Sequence, residues 1–117
     1  MKKIVGSISV LFFITISCSK DSGGGGGTTT VDCNTIANKT FAADVLPILQ
    51  ASCSIAGCHA TGSTNGPGPL TNYVQISGAG PSIRTSVTSG TMPKNSTLTT
   101  AQKNSIICWV NSGTPNN

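Results

Sequence analysis

The fold of this chain depends on one short stretch, CSIAGCHATG, at residues 53–62. Cys53 and Cys58 are separated by four residues, and the second cysteine is followed at once by His59, the single histidine of the chain. Two thiols beside an imidazole can hold a metal ion, form a disulfide next to an unrelated histidine, or attach a cofactor covalently. The rest of the sequence has to discriminate between these three kinds of site.

Covalent haem attachment is one of the three, because its common signature is Cys-x-x-Cys-His. The two thiols add to the vinyl groups of the porphyrin, and the histidine after the second cysteine binds the iron. In this chain His59 directly follows Cys58, as an iron-binding histidine in this signature must. Cys53 only has to reach the other vinyl group, and the longer gap, which contains Gly57, can bulge to allow this. The spacing is therefore unusual for haem but compatible with it.

Met92 is the only methionine after the initiator, and it lies in a Gly-Thr-Met-Pro sequence with polar residues on both sides. A core methionine sits more often in an apolar periodic stretch, so packing alone explains Met92 poorly. A methionine thioether is the common second axial ligand of the iron in cytochromes c. Met92 is therefore the candidate for that position.

Two alternatives to haem stay open at this point. Exported proteins often keep short loops closed by a disulfide, so Cys53 and Cys58 could simply be paired, although Met92 would then have no explanation. A zinc site needs about four ligands, which Cys53, Cys58, His59 and either Cys33 or Cys108 could supply. The spacing matches no zinc finger, and export favours oxidised cysteines.

The sequence before Cys53 predicts a helix. Its N-cap is either Thr40 or Asp44. Pro47 falls in the first turn if Asp44 is the cap, and kinks the helix if Thr40 is. The apolar face of this helix, at helical spacing, consists of Phe41, Val45, Ile48 and Leu49.

A second helix is predicted at the other end of the folded part, where residues 99–102 form a capping box with Thr99 as the N-cap and Gln102 reaching back. Gly113 and Pro115 end this helix, and a short helix is predicted within residues 82–89. Apolar residues of the last helix share one face, namely Ile106, Trp109 and Val110. With no convincing strand pattern, the predicted fold class is mostly α, with long loops.

From Phe41 to Gly113 the chain resembles a small class I cytochrome c domain of the kind found in bacterial lipoproteins. The resemblance is carried by FAADVLPIL at 41–49, Cys58-His59, GTMP at 90–93, LTT at 98–100 and ICWVNSG at 107–113. It implies N- and C-terminal helices packed around a single covalent haem c.

The resemblance also implies roles for individual residues. Cys53 and Cys58 would bind the haem covalently, with His59 as the proximal iron ligand and Met92 as the distal one. A carbonyl in the loop 66–70 would accept the ring N–H of His59 that faces away from the iron. The haem would pack against Leu70, Tyr73 and Trp109, together with Leu49 and Ile83.

Two further cysteines, Cys33 and Cys108, have no role in binding the haem under this resemblance. In the cytochrome c arrangement the first and last helices pack near each other, so the resemblance implies a disulfide between these two cysteines. The alternative is two separate buried thiols, which an oxidising compartment disfavours.

The N-terminal residues predict export. Residues 1–17 carry two lysines and then an apolar run too short to span a bilayer, which is typical of a secretory signal. Residues 15–18, Thr-Ile-Ser-Cys, resemble the lipobox of bacterial lipoproteins and imply cleavage before Cys18 and its lipidation. The alternative is an ordinary signal with an incidental cysteine. Residues 18–32 then form a Gly/Thr-rich tether, and residues 33–117 form the cytochrome c-like domain.

These features predict a lipid-anchored protein of the bacterial envelope, at the periplasmic or outer-membrane face. It would be a monomer that carries single electrons between extracytoplasmic redox proteins, its donor and its acceptor. No acid–base pair indicates an enzyme, and no basic cluster indicates nucleic-acid binding. Two other functions stay open: a haem-free structural or binding lipoprotein stapled by disulfides, and a haem protein whose iron, free of Met92, binds a small gas or peroxide.

Overall fold

The computed structural model describes residues 30–117, and within this range the chain is helical and contains no strand. The elements are a π-helical turn Phe41–Val45 that continues into helix α1, Leu46–Ser52, followed by α2, Tyr73–Gly78, α3, Gly80–Ser89, and α4, Thr100–Asn111. The prediction of a mostly α fold is confirmed. The predicted signal segment, Cys18 and most of the tether lie outside the described residues. No helix in residues 30–117 is both long and apolar enough to cross a bilayer.

The first helical segment begins directly after Thr40. The backbone N–H of Thr40 and its hydroxyl both donate to the carboxylate of Asp44, at 2.8 and 2.7 Å. The N–H of Val45 donates to the carbonyl of Thr40 at 3.1 Å, which makes this turn wider than an α-helical one. The wide turn ends just before Pro47, so the missing N–H of Pro47 falls in the first turn of α1, where it costs least.

Helix α4 begins with the predicted capping box. The N–H of Gln102 donates to the hydroxyl of Thr99 at 3.2 Å, and the side-chain oxygen of Gln102 accepts from the N–H of Thr99 at 2.9 Å. These two bonds satisfy N–H groups that an uncapped helix would leave without partners.

An aromatic cluster joins the first and last helices. The ring of Phe41 lies 5.4 Å from that of Trp109 and 5.1 Å, edge to face, from that of Tyr73. Trp109 is fully buried, and its indole N–H donates to the carbonyl of Pro115 at 2.9 Å. The hydroxyl of Tyr73 likewise donates to the carbonyl of Thr114 at 2.8 Å, so both polar atoms of the cluster are satisfied.

A disulfide joins Cys33 to Cys108, with their Cα atoms 5.3 Å apart. It ties the segment before the first helix to the middle of α4, where Cys108 is almost fully buried. The ammonium group of Lys39 donates to the carbonyl of Cys33 at 2.7 Å and holds the same segment in place.

We predict that replacing both Cys33 and Cys108 by alanine lowers the free energy of unfolding by about 4 kcal/mol, because the disulfide closes a loop of 75 residues in the unfolded chain. Urea unfolding followed by Trp109 fluorescence measures this loss. Asn34→Ala is the control, since it changes an exposed neighbour and leaves the bond intact. Equal urea midpoints for the double variant and the wild type would contradict the prediction.

Candidate functional site

A cavity of about 560 Å³ lies within the described part of the chain, a volume within the range of pockets that hold cofactors and small ligands. Four segments form its wall: the end of α1 with the loop that follows it, residues 65–70, one face of α3, and residues 92–96. The aliphatic part of the wall consists of Ile55, Leu70, Ile83 and Val87.

All four residues predicted to bind haem or its iron line this cavity, namely Cys53, Cys58, His59 and Met92. Met92 is far from the other three in sequence, and the end of α3 brings it to the cavity. The N–H of Met92 donates to the carbonyl of Ser86, on the last turn of α3, at 3.3 Å. The half-buried side chain of Met92 therefore reaches the cavity from a separate segment of the chain.

The longer gap between the cysteines forms a closed turn. Cys53 ends the first helix, with its N–H donating to the carbonyl of Leu49 at 2.8 Å. The chain then reverses through a bond from the N–H of Cys58 to the carbonyl of Ile55 at 3.0 Å, and Gly57 has a φ of +79° that favours glycine. The N–H of His59 returns to the carbonyl of Cys53 at 3.0 Å. The four intervening residues thus leave Cys53 and His59 adjacent in space.

His59 is buried, with 6% of its surface exposed, and its ring has a defined hydrogen bond. Nδ1 lies 2.9 Å from the carbonyl oxygen of Gly68, in the loop where the resemblance placed such an acceptor. Because a carbonyl oxygen only accepts, Nδ1 carries the proton, and in the neutral imidazole the lone pair is therefore on Nε2. No residue in the range 30–117 forms a hydrogen bond with Nε2. The imidazole therefore has the tautomer that a metal ion requires at Nε2.

The thiols of Cys53 and Cys58 are both free, so the structure does not contain the disulfide between them that the sequence left open. Cys53 is buried and Cys58 is half-buried. Burial, with a smaller contribution from the neighbouring Cys58, raises the pKa of the Cys53 thiol. The Cys53 thiol is therefore less readily ionised than an ordinary thiol, and it is the less accessible of the two.

The described residues do not form a zinc site. Cys33 and Cys108, the candidates for a fourth zinc ligand, are bonded to each other. Within residues 30–117 no three Cys, His, Asp or Glu side chains are arranged around a common point where a metal ion could sit.

Of the five residues predicted to pack against haem, Leu70 and Ile83 line the cavity. Tyr73 and Trp109 lie in the aromatic cluster with Phe41 instead, and neither belongs to the cavity wall that the described residues form. Leu49 is likewise buried away from the wall, whereas Ile83 is part of it.

Sequence reasoning missed Asn65, a residue of the site. Asn65 lines the cavity, and its side-chain amide donates to the carbonyls of Gly57 and Cys58 at 3.1 and 2.9 Å. Lys94, which is exposed, carries the only fixed charge of the cavity wall in the described chain. Asn65 gives a weak signal in sequence, because it lies in a loop dense in Gly, Pro and Ser.

Comparison with known proteins found no matching family model, no similar curated protein and no similar solved structure.

Proposed function

We propose that this chain is a membrane-tethered monohaem c-type cytochrome that carries single electrons between redox partners outside the cytoplasm. The observation that carries the proposal is that Cys53, Cys58, His59 and Met92 line one cavity. These four residues are also the ones that the spacing and the local sequence predict for haem.

The chemistry of the donor set fits haem better than a free metal ion. A bare ion needs its ligands gathered around one point. A covalently bound macrocycle needs its thioether positions spread along the wall, with an imidazole nitrogen and a thioether sulfur reserved for the iron. The free Nε2 of His59 and the sulfur of Met92 are donors of these two kinds, and they come from different segments of the wall.

In this proposal the bound haem supplies one-electron chemistry, and the residues of the chain bind and shield it. Cys53 and Cys58 hold it covalently, while His59 and Met92 bind its iron. Aliphatic side chains of the wall exclude water, which affects the reduction potential. A carrier of this kind needs no acid–base residues, so we propose no enzymatic reaction.

The location outside the cytoplasm rests on residues 1–32, most of which lie outside the described range. We propose that Cys18 carries the lipid and that the Gly/Thr-rich tether separates the domain from the membrane. The disulfide between Cys33 and Cys108 supports this location, because such bonds persist in oxidising compartments.

We predict that the protein, exported in a host that matures c-type haem, is coloured and shows sharp absorption bands on reduction. It should be reduced and reoxidised reversibly by one electron per chain, which spectroelectrochemistry measures. His59→Ala should remove the low-spin spectrum, because the proximal ligand is lost. A colourless wild-type protein would contradict the proposal and favour the haem-free lipoprotein.

A second prediction concerns Met92. Replacing it by alanine should open a coordination position, so the reduced variant should bind carbon monoxide readily and show a lower reduction potential than the wild type. Thr91→Ala is the matched control, since it changes the exposed neighbour of Met92 in the same loop.

The absorption change on adding carbon monoxide measures this difference. If the wild type and Met92→Ala bind carbon monoxide equally well, Met92 is not an iron ligand. The protein would then be a sensor or peroxidase with an open iron.

A further inference from the structure

Asn65 connects the two parts of the chain that fix His59. Its side-chain amide donates to the carbonyl of Cys58 at 2.9 Å and to that of Gly57 at 3.1 Å, and so holds the backbone directly before His59. Ser63 helps to hold the same backbone. Its hydroxyl donates to the carbonyl of Cys58 and accepts from the N–H of Asn65 at 3.2 Å.

The backbone of Asn65 holds the other part. Its carbonyl accepts from the N–H of Gly68, which closes a turn over residues 65–68. Gly68 has a φ of +102°, in a region that other residues rarely adopt, and this conformation helps to set the direction of its own carbonyl. That carbonyl accepts the Nδ1 proton of His59 at 2.9 Å. Asn65 therefore contacts both the backbone that carries the imidazole and the turn that presents the carbonyl acceptor.

We infer that Asn65 is a positioning residue for His59, which holds the imidazole against the carbonyl of Gly68 and so sets its strength as an iron ligand. The consequence for iron rests on the proposed function. A ring N–H that donates to a carbonyl makes the opposite nitrogen a stronger donor, and a stronger donor favours ferric iron. Loss of the Asn65 side chain should weaken the bond at Nδ1 and raise the reduction potential.

Asn65 is exposed, so its replacement leaves no buried void that would unfold the domain. The chain also offers a matched control. Asn72 is exposed too, and its side chain accepts from the N–H of Gln75 at 3.0 Å as the N-cap of α2, away from the cavity wall. Like Asn65, Asn72 uses its side chain to bond backbone, but it does so at the start of α2. Asn72→Ala therefore leaves the segment around His59 unchanged.

The test is the rate at which the Nδ1 proton of His59 exchanges with solvent, measured by NMR in the full exported domain. His59 is the only histidine, so its ring signals are unambiguous. We expect exchange to be roughly tenfold faster in Asn65→Ala, because two side-chain hydrogen bonds are lost. Asn65→Asp keeps the size of the side chain but loses both N–H donors, so it should also make the Nδ1 proton of His59 exchange faster.

Asn72→Ala should lower the melting temperature and leave the exchange rate at the wild-type value. In the haem-bound protein, Asn65→Ala should also raise the reduction potential, while Asn72→Ala should not. Equal exchange rates in Asn65→Ala and the wild type would overturn the inference, and so would an equal acceleration in Asn72→Ala, because the effect would then be general loosening.

Haem content separates this result from the proposed function. A wild-type protein without haem overturns the function, and the exchange rates of its ring proton still decide whether Asn65 holds His59. A haem-bound protein with unchanged exchange in Asn65→Ala overturns the inference alone.

Discussion

The hydrogen bond between Nδ1 of His59 and the carbonyl of Gly68 is the interaction on which the site depends. It fixes the tautomer of a buried imidazole and leaves the Nε2 lone pair for a metal ion. The loop that supplies the carbonyl is also held by the N–H of Leu70, which donates to the carbonyl of His59 at 2.9 Å. The loop and the histidine are thus joined by hydrogen bonds in both directions.

The rest of the fold supports this arrangement from outside the cavity. The aromatic cluster of Phe41, Tyr73 and Trp109 packs the first helix against the last, and the disulfide of Cys33 and Cys108 ties the segment before the first helix to α4. A domain of this size has a small core, and a cavity reduces it further. A covalent link between the ends of the fold offsets part of that loss, and a bound haem would bury the aliphatic wall.

The features that were predictable from sequence are those that short-range chemistry determines. The capping box at Thr99 and Gln102 needs only four residues, and the structure contains both of its bonds. Helix α2 was missed, because six residues give a weak pattern, although Asn72 followed three residues later by Gln75 is a recognisable start. The π-helical turn was missed because its apolar spacing also fits an α-helix.

The features that were not predictable depend on how the helices face one another. Trp109 was expected at the haem, yet the middle of α4, Ser105 to Trp109, is buried on all sides, so the sequence pattern could not say which neighbour each side chain meets. The role of Asn65 depends on a loop returning to the backbone at Gly57 and Cys58, and spacing does not reveal such a contact.

The central claim is that the unusual gap between Cys53 and Cys58 still allows covalent attachment of one haem, and peptide mapping tests this most directly. Trypsin cuts after Lys39 and Arg84 and has no site between them, so one peptide, 40–84, contains both cysteines. The account predicts that mass spectrometry finds this peptide heavier by one haem, with fragment ions that place a thioether on each cysteine and no thiol left to alkylate. A haem-free peptide whose cysteines form a disulfide or react with the alkylating reagent would contradict it.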